Sequence, residues 1–174
     1  LLFVFIIGAV MGSTASTLFL VSQRWLLWVP FLIFTAVPFA ETLLKAIIFG
    51  SKRYDNKETT PLFSLSFGFS YGSFSASGIS YLVIQRAGTE GIILPMISIS
   101  LVPFIYGVVH GTTGLIIGLE LRERGMLKAI SRGTTYQIPL NLLITLSLLA
   151  FMTGESSILF TILSLTYAVI LLLH

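Results

Sequence analysis

The stretch Pro38-Phe39-Ala40-Glu41-Thr42-Leu43-Leu44-Lys45 decides how this chain is read. It lies inside a long apolar run, residues 25–49, whose only ionisable side chains are Glu41 and Lys45. An ionisable group inside a membrane span costs about 2.5–3.5 kcal/mol on insertion scales, so it is retained where it faces protein or a water-filled cavity and has a partner. Glu41 and Lys45 stand at i and i+4 with the acid first, the better orientation for pairing along a helix. One reading is a self-neutralising pair near the cytoplasmic end, with Lys45 reaching up to the headgroups. The other makes Glu41 a working carboxylate that faces the interior of a helix bundle.

The rest of the composition agrees with a membrane setting. Of 174 residues, 55% are hydrophobic and 10% charged, and the mean hydropathy is +0.98. Soluble domains carry roughly 25% charged residues. The absence of cysteine from the sequence removes disulfides, thiolate metal sites and cysteine nucleophiles. The net charge of +3 does not call for nucleic acid, because the basic residues cluster in loops and fit a membrane topology. Residues 1–22 lack a basic leader and a cleavage site and are long enough to span. The start at Leu1 and the apolar close before His174 suggest a segment of a longer protein, with further spans at either end.

A span needs about 20 predominantly apolar residues. Six segments qualify: residues 1–22, 25–49, 62–84, 92–119, 134–152 and 158–173, which predicts an all-α, polytopic bundle forming a single transmembrane domain. The polar stretch 51–60 and the charged stretch 120–132 are the substantial loops. They hold seven Lys and Arg residues (Lys52, Arg53, Lys57, Arg122, Arg124, Lys128 and Arg132), whereas the loops on the other side hold Arg24 and Arg86. Cytoplasmic loops are enriched in basic residues, so 51–60 and 120–132 are expected in the cytoplasm of a protein integral to the plasma membrane. Trp25 and Trp28 then fall at the outer interface, where aromatic belts occur.

Two spans carry a packing signal. In residues 92–119, Gly107, Gly111, Gly114 and Gly118 fall on one helix face. In residues 62–84, Ser64, Gly68, Gly72, Ser75 and Gly78 form a similar stripe. Small residues let membrane helices approach backbone to backbone, so these two helices are expected to touch along their stripes. Gly8 and Gly12 make a weaker version in the first span. Prolines 30, 38, 95, 103 and 139 are positioned to kink their helices, or, for Pro95, to mark a helix start.

The remaining intramembrane polar residues are His110, Gln137 and Asn141. His110 borders the glycine stripe. Gln137 and Asn141, at i and i+4, share a helix face. Counted from the loop ends at 1.5 Å per residue, Glu41, His110 and Asn141 all lie roughly 10–15 Å inside the cytoplasmic face. Amides and imidazoles often serve only as interhelical glue, at about 0.6 kcal/mol each. An acid, an imidazole and two amides at one depth also make a candidate site. A glutamate and a histidine can position and deprotonate a water, and two amide donors can stabilise an oxyanion. That chemistry is peptide-bond hydrolysis. As a zinc site the set is incomplete, since Glu41 and His110 are its only ligand types and catalytic zinc usually takes three.

At these residues the chain resembles the PrsW family of intramembrane proteases, within the wider clan of CAAX-processing membrane enzymes. The family has a double-glutamate helix ending in lysine, and Glu41-Thr42-Leu43-Leu44-Lys45 keeps the first acid and the lysine. The family's glycine-rich next helix, closing in Glu-Asn, is echoed from Gly68 to Gly72 and on to Tyr81, with Ser77 and Gly78 at the acid and amide. Its histidine–threonine–glycine helix is matched by His110-Gly111-Thr112-Thr113-Gly114. Its last His-x-x-x-Asn helix is matched by Gln137-Ile138-Pro139-Leu140-Asn141, with Gln137 at the histidine. The similarity runs from Pro38 to Asn141. It implies a glutamate-dependent endopeptidase acting on a transmembrane substrate helix, with Glu41 as base, His110 as its partner or a metal ligand, and Gln137 and Asn141 as oxyanion donors. Thr42, Ser77 and Gln137 depart from the family pattern and leave a zinc ligand set short.

The chain is also similar to the anterior-pharynx-defective subunit of gamma-secretase, a scaffold of the same clan, in its glycine/serine-rich third span and its histidine helix ending in the charged cluster Glu120 to Arg124. That likeness implies a non-catalytic scaffold or substrate-binding subunit in a membrane complex. A solute transporter is a third reading, but the paired half-helices broken at the midplane that it would need are not evident. Lys45 and the glycines Gly68, Gly72, Gly107, Gly111, Gly114 and Gly118 are structural in each of these readings.

Overall fold

The computed structural model describes residues 28–51, 59–87, 93–153 and 158–173, and these form five helices with no strand among them. They are α1 (Trp28–Phe49), α2 (Thr60–Ala87), α3 (Ile93–Glu123), α4 (Met126–Thr153) and α5 (Ile158–Leu173). The expected span at residues 1–22, most of the 51–60 loop and the Trp25 belt position lie outside the described residues. Within them, Ser100–Glu123 of α3 is long and apolar enough to cross a membrane, and Leu159–Leu173 is apolar but shorter.

The helices are longer at their charged ends than apolarity predicts. The expected loop 120–132 is almost entirely helical. α3 continues to Glu123, α4 begins at Met126, and only Arg124 and Gly125 intervene. Charge ends a hydrophobic run but not a helix, because Leu, Arg, Glu and Lys are all good helix formers. What ends α3 is Gly125, at φ +87°. In that left-handed conformation its N–H and that of Arg124 both reach the Glu120 carbonyl, at 2.9 and 2.8 Å. A glycine adopts this conformation without a Cβ penalty. Pro95 falls in the first turn of α3, where its missing N–H costs no helical bond. Pro38, Pro103 and Pro139 lie inside their helices.

α3 is the central helix and touches the other four. Its contact with α2 is the most extensive in the fold, and the glycine stripes explain why. A Cβ on Gly68 would run into the His110 carbonyl and stand 3.1 Å from the Gly111 Cα. One on Gly72 would meet the Tyr106 carbonyl, and one on Gly114 the Ser64 carbonyl. These are backbone atoms and cannot turn aside. Gly133 does the same for α4. A Cβ there would lie 2.7 Å from Thr42 Cγ2 on α1 and 2.8 Å from Ile117 Cγ1 on α3.

Two apolar clusters result. One joins Ala76, Val102, Ile105, Tyr106, Val109, Leu140, Ile144, Ala168 and Leu171 across α2 to α5. The other joins Ala46, Phe49, Phe67, Tyr71, Ile117 and Ala129 across α1 to α4, with Phe49 set edge-on to Phe63 and Phe67. The outer surface is apolar as well. Phe39, Ile47, Phe69, Phe104, Leu142, Ile162, Val169 and Ile170 are all exposed. At the charged end, Gly50 sits beside Met126 and Leu121, so the end of α1 and the turn between α3 and α4 share one end of the bundle.

Candidate functional site

A layer of buried polar side chains packs against both apolar clusters, touching Tyr71 of one and Tyr106 of the other. α1 supplies Glu41, Thr42 and Lys45, α2 supplies Tyr71, α3 supplies His110 and Thr113, and α4 supplies Gln137. The most exposed of these, Glu41, has 5% of its surface accessible. The helical spacing explains the delivery. Glu41 and Lys45 are one turn apart on the inner face of α1. His110 is set on the α3 face that the Gly68 and Gly72 contacts press against α2.

Lys45 Nζ and His110 Nδ1 share a hydrogen bond at 2.6 Å. The Gln137 amide nitrogen reaches the same Nδ1 at 3.2 Å and also donates to Thr113 Oγ1 at 3.1 Å. Thr42 Oγ1 donates to Gln137 Oε1 at 3.2 Å. On the other side, Tyr71 donates its hydroxyl to Glu41 Oε1 at 3.0 Å. The second carboxylate oxygen, Oε2, faces His110 Nε2 at 3.9 Å. Neither of these two atoms has a hydrogen-bond partner among the described residues. The imidazole stacks on Tyr106, with ring centroids 5.4 Å apart, and meets Tyr71 edge-on at the same separation. Lys45 Nζ lies 4.9 Å from the Tyr71 ring centroid, a buried cation over an aromatic face.

The sequence-derived residues therefore have different fates. Glu41, His110, Gln137 and Lys45 meet in one layer. Lys45 is not simply the neutraliser of Glu41 that its i, i+4 spacing suggests, because it hydrogen-bonds to an imidazole brought in by another helix. Asn141 does not join the layer. Its amide donates to the Gln137 backbone carbonyl of its own helix at 3.1 Å. The Gln137 amide protons, expected at an oxyanion, are directed to His110 and Thr113. Tyr71, Thr113 and Thr42 complete the layer and are not among the site residues that the sequence predicts. Thr42 and Thr113 carried a signal in their helical spacing from Lys45 and His110. Tyr71 carried none, since a tyrosine among apolar residues reads as core.

The donor set of the layer is short of the three ligands that a catalytic zinc usually takes. Glu41 and His110 are its only ligand types, Lys45 occupies the imidazole's other nitrogen, Nδ1, and no group of three or more His, Cys, Asp or Glu gathers among the described residues. A second polar cluster lies at the turn between α3 and α4. The buried Glu120 carboxylate pairs with Arg132 on α4 and, at 3.6 Å, with Arg124. No protein-family model, curated protein or solved structure matches the chain.

Proposed function

We propose that the protein is a bundle embedded in the plasma membrane, similar in architecture to the PrsW and CAAX-processing proteases, and that it hydrolyses peptide bonds through Glu41. Support for the membrane setting comes from the arrangement of polarity. Large apolar side chains cover the outside while a carboxylate, an ammonium, an imidazole and an amide are buried, the reverse of a water-soluble surface. Hydroxyls along the helices, among them Ser64, Thr112, Thr145, Ser164 and Thr166, bond back to their own helix carbonyls, which satisfies them without water. The positive turn between α3 and α4 and the loop at 51–60 would then face the cytoplasm.

The observation that carries the hydrolase reading is the pair of unpartnered atoms, Glu41 Oε2 and His110 Nε2, facing each other at 3.9 Å in a buried layer. Most buried polar atoms are satisfied, so an opposed pair of orphans is a candidate working site. In the reaction, Glu41 removes a proton from a water that bridges the two atoms from one side, and the hydroxide adds to the scissile carbonyl carbon. An N–H at His110 Nε2 meets the developing oxyanion. The protonated Glu41 then gives its proton to the leaving amine, which restores the carboxylate and releases an acid and an amine. The substrate would be a transmembrane helix.

A second reading is favoured by a specific observation. The hydrogen bond from Lys45 to His110 and the fully engaged Gln137 amide close the layer, as a scaffold or substrate-binding subunit with inherited polar residues would. The deciding experiment compares cells expressing the protein with cells expressing Glu41→Gln and maps new protein termini in the membrane fraction. Termini that depend on Glu41 are expected. Identical sets of termini at equal expression would overturn the hydrolase reading in favour of the scaffold.

A further inference from the structure

The hydrogen-bond chain through α3 and α4 has a fixed direction, and that direction sets the protonation pattern of His110. It begins at a backbone carbonyl, which can only accept. Thr113 donates its hydroxyl to the Val109 carbonyl at 2.8 Å, so its oxygen is left to accept from Gln137 at 3.1 Å. Gln137 must therefore present its NH₂ on this side and its carbonyl oxygen to Thr42, whose hydroxyl donates to it at 3.2 Å. The remaining amide proton points to His110 Nδ1 at 3.2 Å. Turning the amide round would place its oxygen against Thr113 and its NH₂ against Thr42, and would take the Thr113 proton away from Val109. Lys45 arrives at the same nitrogen from α1, and an ammonium has three donors and no acceptor. Two independent donors on Nδ1 leave a neutral imidazole one arrangement, with its proton on Nε2.

We infer that Lys45 and Gln137 are positioning residues that hold His110 as the Nε2–H tautomer, with this N–H aimed at Glu41 Oε2. The inference rests on the hydrolase reading for its catalytic meaning, but not for its geometry. It divides the labour in the site. His110 donates and cannot act as the base, so Glu41 is the base. It also specifies the occupant. At 3.9 Å the N–H and the carboxylate oxygen are too far apart for a direct bond. A guest that bridges them from the side must accept from Nε2–H and donate to Oε2 at once. Water and a hydroxyl do both. A peptide carbonyl only accepts, and would meet the carboxylate's negative charge.

The test is nitrogen NMR of the full chain in lipid bilayers with labelled histidine. The sequence has two histidines, so His174→Gln leaves His110 alone in the spectrum. The expected signature is one protonated, pyrrole-type nitrogen at Nε2 and one unprotonated, pyridine-type nitrogen at Nδ1. The double variant Lys45→Met/Gln137→Leu should lose that single signature and gain the Nδ1–H form, while Lys45→Arg with Gln137 intact should keep it. An Nδ1–H form in the unaltered site overturns the inference. So does an unchanged Nε2–H signature in the folded double variant. Should the double variant fail to fold, the tautomer of the unaltered site still decides. No cleavage is read, so this result is separate from the fate of the hydrolase reading.

Discussion

Gly72 lies so close to His110 that a Cβ placed on it would stand 2.7 Å from the His110 Cβ. The small residue on α2 is thus part of what aims the imidazole on α3. Packing and site are coupled through this contact. Crowding at Gly72 pushes on the backbone of Tyr106 and on the His110 side chain together.

Gly72→Ala and Gly68→Ala should each destabilise the bundle by about 1–3 kcal/mol, the usual range for overpacking. Gly111→Ala should be milder. Its Cβ would meet the Phe69 Cβ at 3.3 Å and Leu65 side-chain and backbone atoms at 3.5 Å, contacts that a small shift relieves. Thermal unfolding in detergent is the measurement. Equal midpoints for Gly68→Ala and Gly111→Ala would show that the helices separate more freely than this contact implies.

The stripes themselves were legible in the sequence because their spacing is a property of a single helix. Counting from the loop ends set Glu41, His110 and Asn141 at one level, and of these Glu41 and His110 meet, whereas Asn141 turns back to the Gln137 carbonyl of its own helix. The partners within the layer were not legible. The i, i+4 rule joins Lys45 to Glu41, but it knows nothing of an imidazole arriving from α3. Tyr71 offers an apolar ring to any sequence reading, and its hydroxyl finds Glu41 only after α1 and α2 are placed. Gly133 was hidden for a different reason. It lies in a charged stretch that resembles a loop, yet it is the residue that lets α4 close on Thr42 and Ile117.

At the turn between α3 and α4, Arg132→Ala should cost more than Arg124→Ala. Glu120 is buried and Arg132 bonds to it directly across the helices, so removing Arg132 leaves the carboxylate with only the longer pair to Arg124. Hydrogen bonds to charged groups are worth about 1.5–3 kcal/mol. Arg124 is 3.6 Å away and half exposed in the turn just past the end of α3, where exposed pairs contribute about 0.2–1 kcal/mol. The two melting midpoints give the ranking, and a larger loss for Arg124→Ala would reverse it.

The shared end of α1 and the turn between α3 and α4 gives a topological prediction. The sequence has no cysteine, so introduced thiols are unique reporters. Thr59→Cys and Leu127→Cys, both at exposed positions, should react with an impermeant thiol reagent only after cells are opened. Labelling of either from outside intact cells contradicts the cytoplasmic placement.

The last prediction concerns the two buried charges, which compensate one another across an imidazole. Lys45 donates to His110 Nδ1, and His110 Nε2 faces Glu41. Either single change, Glu41→Gln or Lys45→Met, leaves the opposite charge in a buried layer without its counterpart, which is the costly way to disturb a buried pair. The double change removes both charges, and buried pairs replaced by neutral groups are often tolerated. The expected result is therefore non-additive. Each single variant unfolds at lower temperature than the parent, and Glu41→Gln/Lys45→Met recovers part of the loss, with a coupling of roughly 1–3 kcal/mol in the range seen for residues sharing one network. Additive losses would mean that the two charges do not sense each other through His110. The same three variants separate stability from chemistry. If Glu41 is the base, the double variant regains its fold but yields no Glu41-dependent termini in the membrane fraction.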